Sequence, residues 1–294
     1  MLRCYYLESN EEFKTFFTNN FKNTRLLVKE NARNIVYEAS YPSYVLPPNV
    51  VVKILKNNRK IFDEVENREV NKEYFFLKLL SPHNLSPELV VYFEGPKFVG
   101  VGMKKLSSNW IVMSDFMKYV HHPNVTRKVI RRVIKLLIKL RELNVYYMDT
   151  KLDNLMINNS TLKVKFIDFE DAILLKDPSE MFVRKRIGTL GYCAPEILID
   201  DYYDISKTQT FTIACVLYTC LEKDIAFDTE TDLLLTDFPH TYNSPKKAIA
   251  IMKKCLKNDP EDRPDLQSLL EMDWFRSGKF KSFIQNALKK LKLK

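Results

Sequence analysis

The apolar residues of this chain change their spacing once along its length, and that change limits the fold more than any other feature of the sequence. Up to residue 103 they come in short β-branched runs: L-L-V-K from Leu26, N-I-V-Y-E-A-S-Y from Asn34, V-V-V-K-I-L from Val50, L-V-V-Y-F from Leu89 and F-V-G-V-G-M from Phe98. Runs this short and this rich in valine suit strands. One helix interrupts them, in E-Y-F-F-L-K-L-L, ahead of the loop S-P-H-N-L-S-P. From Asn109 the period becomes helical, most plainly over residues 124–143, where Val129, Ile130, Val133, Ile134, Leu137, Ile138 and Leu140 share one side of a basic helix. F-T-I-A-C-V-L-Y-T-C-L predicts a buried helix, and D-L-Q-S-L-L-E-M-D-W-F the last helix of the compact body. Strands first and helices after, with no internal repeat, predict an α+β protein: a small β-rich lobe and a larger helical one, joined near residues 103 to 108. A hydrophobic content of 46% over 294 residues provides the core that both need.

Composition narrows function less. Lys and Arg number 46 against 37 Asp and Glu, and the net charge of +9 favours acidic partners such as phosphates, nucleic acid or acidic protein surfaces. The five cysteines, Cys4, Cys193, Cys215, Cys220 and Cys255, are odd in number and lack C-x-x-C spacing, which argues against a disulfide framework and against a zinc site. No apolar run nears the roughly 18 residues of a membrane span. The opening M-L-R-C-Y-Y-L-E-S-N-E-E-F turns acidic before a signal segment could form. An intracellular protein, cytoplasmic or nuclear, is expected.

Residues 146–157, Y-Y-M-D-T-K-L-D-N-L-M-I, set Asp149, Lys151, Asp153 and Asn154 inside six positions between two apolar segments. So dense a polar group is either a solvated turn or a reactive loop. Three other segments favour the loop. V-V-V-K-I-L ends a valine run at Lys53, with Glu73 downstream as the carboxylate a buried ammonium needs, and Glu69 as the alternative. K-V-K-F-I-D-F-E ends a strand in Asp168, fourteen residues after Asn154. G-T-L-G-Y-C-A-P-E, residues 188–196, is followed 67 residues after Glu196 by Arg263 in D-P-E-D-R-P.

With these four segments in this order, residues 25–276 resemble a eukaryotic-type protein kinase, and Lys151 and Thr189 resemble the serine/threonine branch. The resemblance implies a two-lobed fold, ATP and Mg2+ as cofactors, and a protein substrate with a Ser or Thr acceptor. By it, Asp149 accepts or orients the substrate hydroxyl proton, Lys151 stabilises the transferring phosphoryl group, and Asn154 and Asp168 hold the metal. Lys53 reaches the phosphates, kept in place by Glu73. Val36, Asn31, Asn34, Val51 and Met156 belong to the nucleotide site. Met103 guards the back of the adenine pocket, and Lys104 to Leu106 form the hinge. The alternative hinge, W-I-V-M-S-D-F, leaves only about 33 residues before Asp149, against about 45 from Lys104.

The chain departs from the family pattern in several places. K-E-N-A-R-N-I-V sets Lys29, Asn31 and Asn34 where the phosphate loop has glycines; asparagine is the residue that best replaces glycine at positive φ. Tyr147 and Met148 stand for His and Arg, so Met148 offers no docking site for a phosphate on Ser179 or Thr189. Glu170 replaces the glycine of D-F-G. Gln209, Phe211 and Ala214 replace Asp, Trp and Gly, which predicts a weakened polar brace beneath the catalytic loop. Asp153 falls at a variable position. Residues 1–24 read as an N-terminal extension, 25–103 as the nucleotide-binding lobe, 104–276 as hinge and catalytic lobe, and 277–294 as a tail. In the tail Phe280, Phe283, Ile284, Ala287, Leu288 and Leu291 line one face of a basic helix, suited to an acidic partner, a membrane surface or the large lobe itself. A monomer without direct nucleic-acid binding is expected. Two functions follow, an active kinase or a pseudokinase serving as a nucleotide-binding or scaffold module.

Overall fold

The computed structural model describes residues 2–30, 34–41, 49–120, 122–177, 182–183 and 186–276, so the expectations for Asn31, Ser179 and the tail fall outside the described residues. Two compact units form: Met1–Ser107 with Phe166–Glu170, and Ser108–Lys165 with Asp171–Lys294. The first is rich in sheet and the second in helix, so the protein is α+β. The division after Ser107 coincides with the change in apolar spacing.

In chain order the first unit contains β1 (Arg3–Tyr6), α1 (Asn10–Asn20), β2 (Lys22–Glu30), β3 (Asn34–Ser40), β4 (Asn49–Lys56), β5 (Lys60–Asp63), β6 (Arg68–Asn71), α2 (Lys72–Leu80), β7 (Leu89–Glu94) and β8 (Phe98–Lys104). Six strands make one sheet in the order β1-β7-β8-β4-β3-β2, while β5 and β6 form a separate hairpin. The main ladders are antiparallel, but β1 joins β7 in parallel. Residues 1–24 thus supply β1, α1 and the start of β2.

Opposed residues of an antiparallel ladder share a face, and faces alternate along each strand. The register Val36↔Lys53, Lys53↔Val101, Val51↔Met103 and Tyr92↔Val101 therefore sets Val36, Val51, Lys53, Tyr92, Val101 and Met103 on one face. The other face carries Ala39, Val50, Val52, Val91 and Phe93, buried against Phe13 of α1 and Phe21 beyond it. Four rings, Phe13, Phe16, Phe17 and Phe21, surround Phe93 at centroid distances between 4.9 and 6.3 Å. Phe13, Phe21 and Phe93 are buried, and burying each of these three rings contributes about 1.5–3 kcal/mol. Gly100 makes the space, since a Cβ there would lie 2.0 Å from the Phe93 ring. On Lys53's face, Tyr74 of α2 stacks on Tyr92 at 4.0 Å.

The second unit contains β9 (Trp110–Val112), α3 (Met113–Tyr119), α4 (Pro123–Arg141), β10 (Val145–Tyr146), β11 (Leu155–Asn158), β12 (Val164–Phe166, leading into the segment 166–170), β13 (Ile173–Leu174), α5 (Glu196–Ile199), α6 (Ile205–Glu222), α7 (Glu230–Leu235), α8 (Lys246–Cys255), α9 (Leu266–Glu271) and α10 (Asp273–Arg276). Helix α6 is buried almost all round. The Asp204 carboxylate caps its start by accepting from the Ser206 N–H at 2.6 Å. Lys223 ends it in the left-handed region at φ 68°, and its ammonium donates to the carbonyls of Met117, Val120 and Cys220 at 2.6–2.8 Å, a cation where a helix C-terminus favours one. Val129, Val133, Ile134, Leu137 and Leu140 of α4 are fully buried. This helix ends at Arg141, short of the predicted Leu143, and Asn144 then takes φ 56°. The last predicted helix is divided at Met272, whose ψ of 144° is extended and whose carbonyl starts α10 by accepting from Phe275 and Arg276. Among the described residues no helix is long and apolar enough to cross a membrane.

Candidate active site

β4 carries Lys53 into the first unit with its side chain buried, the ammonium 2.8 Å from Asp168 Oδ1 and 3.8 Å from Glu73 Oε1. Burial opposes the charge, but Glu73 and then Asp168 outweigh it and hold Lys53 above the ordinary lysine range. Glu73 lies in the first turn of α2 and its second oxygen accepts the Phe169 N–H at 2.5 Å. Burial pushes its carboxyl up to about 7, against the pull of Lys53. Glu69 is on β6, opposite Phe62, so α2 presents Glu73 alone of the two. Asp168 takes φ 67°, a left-handed value that aspartate tolerates through its short polar side chain. Phe169 is buried and stacks on Phe76 of α2 at 6.4 Å. Asn34 Nδ2 donates to Glu170 Oε2 at 3.1 Å, so two residues standing where the family pattern has glycine meet across 136 positions of sequence. Val36 and Val51 are half-buried and Met103 buried on Lys53's face; Lys104 is exposed at the end of β8 and Leu106 half-buried just beyond it.

What fixes α2 is a polar network without a sequence signature. Tyr74 Oη donates to Glu66 at 2.5 Å, and Lys78 Nζ reaches Glu66 at 2.8 Å and Asp63 at 2.9 Å. Arg68 bonds Glu66 at 2.9 Å, Glu94 at 3.1 Å and the Tyr6 hydroxyl at 2.6 Å, tying the β5–β6 hairpin and β1 to the back of the helix. Partial burial would raise the Glu66 carboxyl, but the bonds from Lys78, Tyr74 and Arg68 prevail and bring it down to about 2.

In the second unit Asp149, in the loop 147–154, is held by both carboxylate oxygens. Oδ1 accepts the Thr189 hydroxyl at 2.6 Å, and Oδ2 accepts Asn154 Nδ2 at 2.7 Å. Lys151 Nζ closes the ring, 3.0 Å from Asp149 Oδ2 and 2.9 Å from Thr189 Oγ1. Asp153 is exposed and outside this ring, and Met156 lies on β11 opposite Val112. The expected weakening of the brace is corrected by the structure. The Gln209 amide donates to the Tyr147 carbonyl at 3.0 Å while its oxygen accepts from Arg141 Nε at 2.6 Å, and Arg141 also bonds the Ser206 carbonyl at 2.7 Å. An amide, having a donor as well as an acceptor, holds the loop by a backbone carbonyl. Met148 is buried, as an apolar side chain there should be.

Each unit carries an oxygen donor of the kind a hard cation takes. Magnesium takes one or two protein oxygens and completes its shell with phosphate and water. In the first unit this is the Asp168 carboxylate; in the second, taken by itself, it is the carbonyl oxygen of Asn154, whose nitrogen is turned to Asp149.

A family model described as the protein kinase domain matches residues 48–275. This chain belongs to the protein kinase family. It is 26% identical over 230 residues to serine/threonine-protein kinase PLK4 of Nematostella vectensis, an alignment covering 76% of this chain and 23% of that protein. Serine/threonine-protein kinase PLK2 of Mus musculus is 27% identical over 233 residues, covering 77% and 33%. Probable serine/threonine-protein kinase 2 of Plasmodium falciparum is 26% identical over 301 residues, covering 93% and 55%. The chain thus spans less than two thirds of each of these relatives.

Within this kinase domain the segment 188–196 is locked from both ends. Gly188 and Gly191 take φ 114° and 87°, values that cost other residues strain. Glu196 and Arg263 form a bidentate pair at 2.6 and 2.8 Å, their side chains 3% and 0% exposed. Two further guanidinium donors go to the carbonyls of Lys257 and Asn258, and the group lies 4.9 Å over Phe211, which fills the position of the family's tryptophan. The kinase match begins at residue 48, after β1, α1, β2 and β3.

Proposed function

We propose that this chain is an ATP-dependent serine/threonine protein kinase that transfers the γ-phosphoryl group of ATP to protein hydroxyls. The observation carrying this reading is the ring at Asp149: a carboxylate aimed by Asn154 and Thr189 with a lysine 3.0 Å away. Asp149 takes the acceptor's hydroxyl proton as that oxygen bonds to phosphorus and the phosphorus–oxygen bond to ADP breaks. Lys151 stands by to offset charge on the transferring group, and Lys53, with Glu73 behind it, to hold the phosphates. Asp168 and Asn154 would bind Mg2+, which supplies charge neutralisation of the phosphates. Because such catalysis is mostly positioning and electrostatics, retention of the six charged and amide groups outweighs the missing glycines.

The purified chain is assayed with Mg-ATP and a generic Ser/Thr acceptor, beside Asp168→Asn. Incorporation by the first and its loss in the second support the reading; equal incorporation, or none from either, sinks it. A pseudokinase is the second reading, favoured by the carboxylate of Glu170 held by Asn34 near Lys53 and Asp168. It expects nucleotide-induced thermal stabilisation without incorporation.

A further inference from the structure

Helix α4 holds seven cations, Arg127, Lys128, Arg131, Arg132, Lys135, Lys139 and Arg141, and no carboxylate among its 19 residues. A solvated helix face ordinarily mixes signs, because opposite charges four residues apart stabilise it and like charges destabilise it. Here Arg127/Arg131, Lys128/Arg132, Arg131/Lys135 and Lys135/Lys139 are all like pairs. The repulsion is felt: after burial, Arg131 lowers Arg127 and Arg132 lowers Lys128. Arg141 is engaged by Gln209 and Ser206. Arg132 donates to the Thr161 carbonyl at 2.5 Å, which joins the turn between β11 and β12, with its exposed Lys163, to the same surface. Among the described residues no carboxylate lies within ion-pair distance of Lys128, Arg131, Lys135, Lys139 or Lys163. The helix keeps a self-repelling face that no described carboxylate neutralises.

The chemistry of the face favours one kind of anion. Half-buried Leu136 and Ile138 lie among the cations, and α4 contains no aromatic residue. Single-stranded nucleic acid is held by bases stacked on aromatic rings as well as by charge, and that component is missing from the helix. Arg131, Lys135 and Lys139 rise about 6 Å apart along the axis. Alternate residues of an extended chain are about 6.5 Å apart, so acids at every second position match this row. We propose that the outer face of α4, with Lys128, Arg131, Lys135, Lys139 and Lys163, docks an extended acidic segment of another protein. The contact needs no phosphoryl transfer and so goes beyond the function proposed above.

The test is fluorescence anisotropy of a labelled peptide of alternating glutamate and serine with the full chain, at low and physiological salt, beside the same peptide with glutamine for glutamate. The acidic peptide should bind, the glutamine peptide should not, and Arg131→Glu/Lys135→Glu/Lys139→Glu should weaken binding on the order of tenfold or more. The milder Lys135→Gln/Lys139→Gln should weaken it partly, and circular dichroism of both variants should match the wild type. Undiminished affinity in both folded variants overturns the proposal. So does tighter binding to a single-stranded oligonucleotide or to anionic vesicles than to the peptide. Phosphorylation of an uncharged acceptor should be the same in wild type and variants, which separates failure of docking from failure of catalysis.

Discussion

The two units hold the groups proposed for catalysis by different physics. In the first, the Lys53 and Glu73 side chains are 7% and 1% exposed, and opposite charge holds them. In the second, Asp149 and Lys151 are 14% and 24% exposed, and much of the restraint comes from the neutral groups of Asn154, Thr189 and Gln209. A dry charge cannot lose its partner cheaply, whereas a partly solvated loop can be braced by any group with a suitable donor. The departures around the second site accordingly fall on its scaffold. Gln209 stands for an acid, yet the loop is still tied through the Tyr147 carbonyl.

The sharpest test of this contrast is the one dry ion pair described in the second unit. Arg263→Ala should cost about 3–5 kcal/mol in urea unfolding, since it strands Glu196 in the core. Arg263→Met with Glu196→Met should recover most of it; a double variant as unstable as the single would show that lost packing, not stranded charge, dominates. Next in size, Asp149→Asn should lower kcat by roughly 10²–10⁴. Its unfolding free energy should fall by about 0.5–1.5 kcal/mol, as expected for weakening one partly solvated hydrogen-bonded group, far less than the loss of rate.

Smaller effects test the first unit. Tyr74→Phe removes a bond to Glu66 and should cost about 0.5–1.5 kcal/mol, with a rise in KM for ATP as α2 loosens. Glu66 also gives this network a pH signature. Its carboxyl is lowered to about 2 in the folded chain, so its contribution is present above the ordinary value of 4.5 and is lost as pH falls toward 2. Unfolding measured between pH 5 and 3 should therefore fall less steeply in Glu66→Gln than in the wild type; parallel slopes would remove Glu66 from the network. The smallest effect is the coupling between Asn34 and Glu170. A double-mutant cycle of Asn34→Gly and Glu170→Gly, read in KM for ATP, should show non-additivity of about 0.5–1 kcal/mol. Strict additivity would mean that their hydrogen bond does nothing for nucleotide binding.

Much of this was legible because it is local. A valine run ending in Lys53, an apolar period of 3.6 in α4 and nine contiguous residues ending in Glu196 are patterns within one element, and they predicted two lobes of the right kind. What the sequence hid is non-local. The meeting of Asn34 with Glu170 spans 136 positions, so each read as a separate loss of glycine. Gln209 read as a weakened brace because its partners, Arg141 and the Tyr147 carbonyl, come from other elements. The network of Glu66, Arg68, Tyr74 and Lys78 is made of residue types common on any surface. β1 pairs with β7 across some 88 residues, Arg3 opposite Val91, and no periodicity announces such a partner.

Cutting the chain where the family match begins, at residue 48, would remove three of the six strands in the sheet together with α1. β4 would be left as an open edge, and Phe93 would lose the four rings that cover it. An uncovered edge of that kind recruits other chains. For anyone preparing the protein, boundaries drawn from the alignment would yield aggregates, and a workable fragment has to start ahead of Arg3.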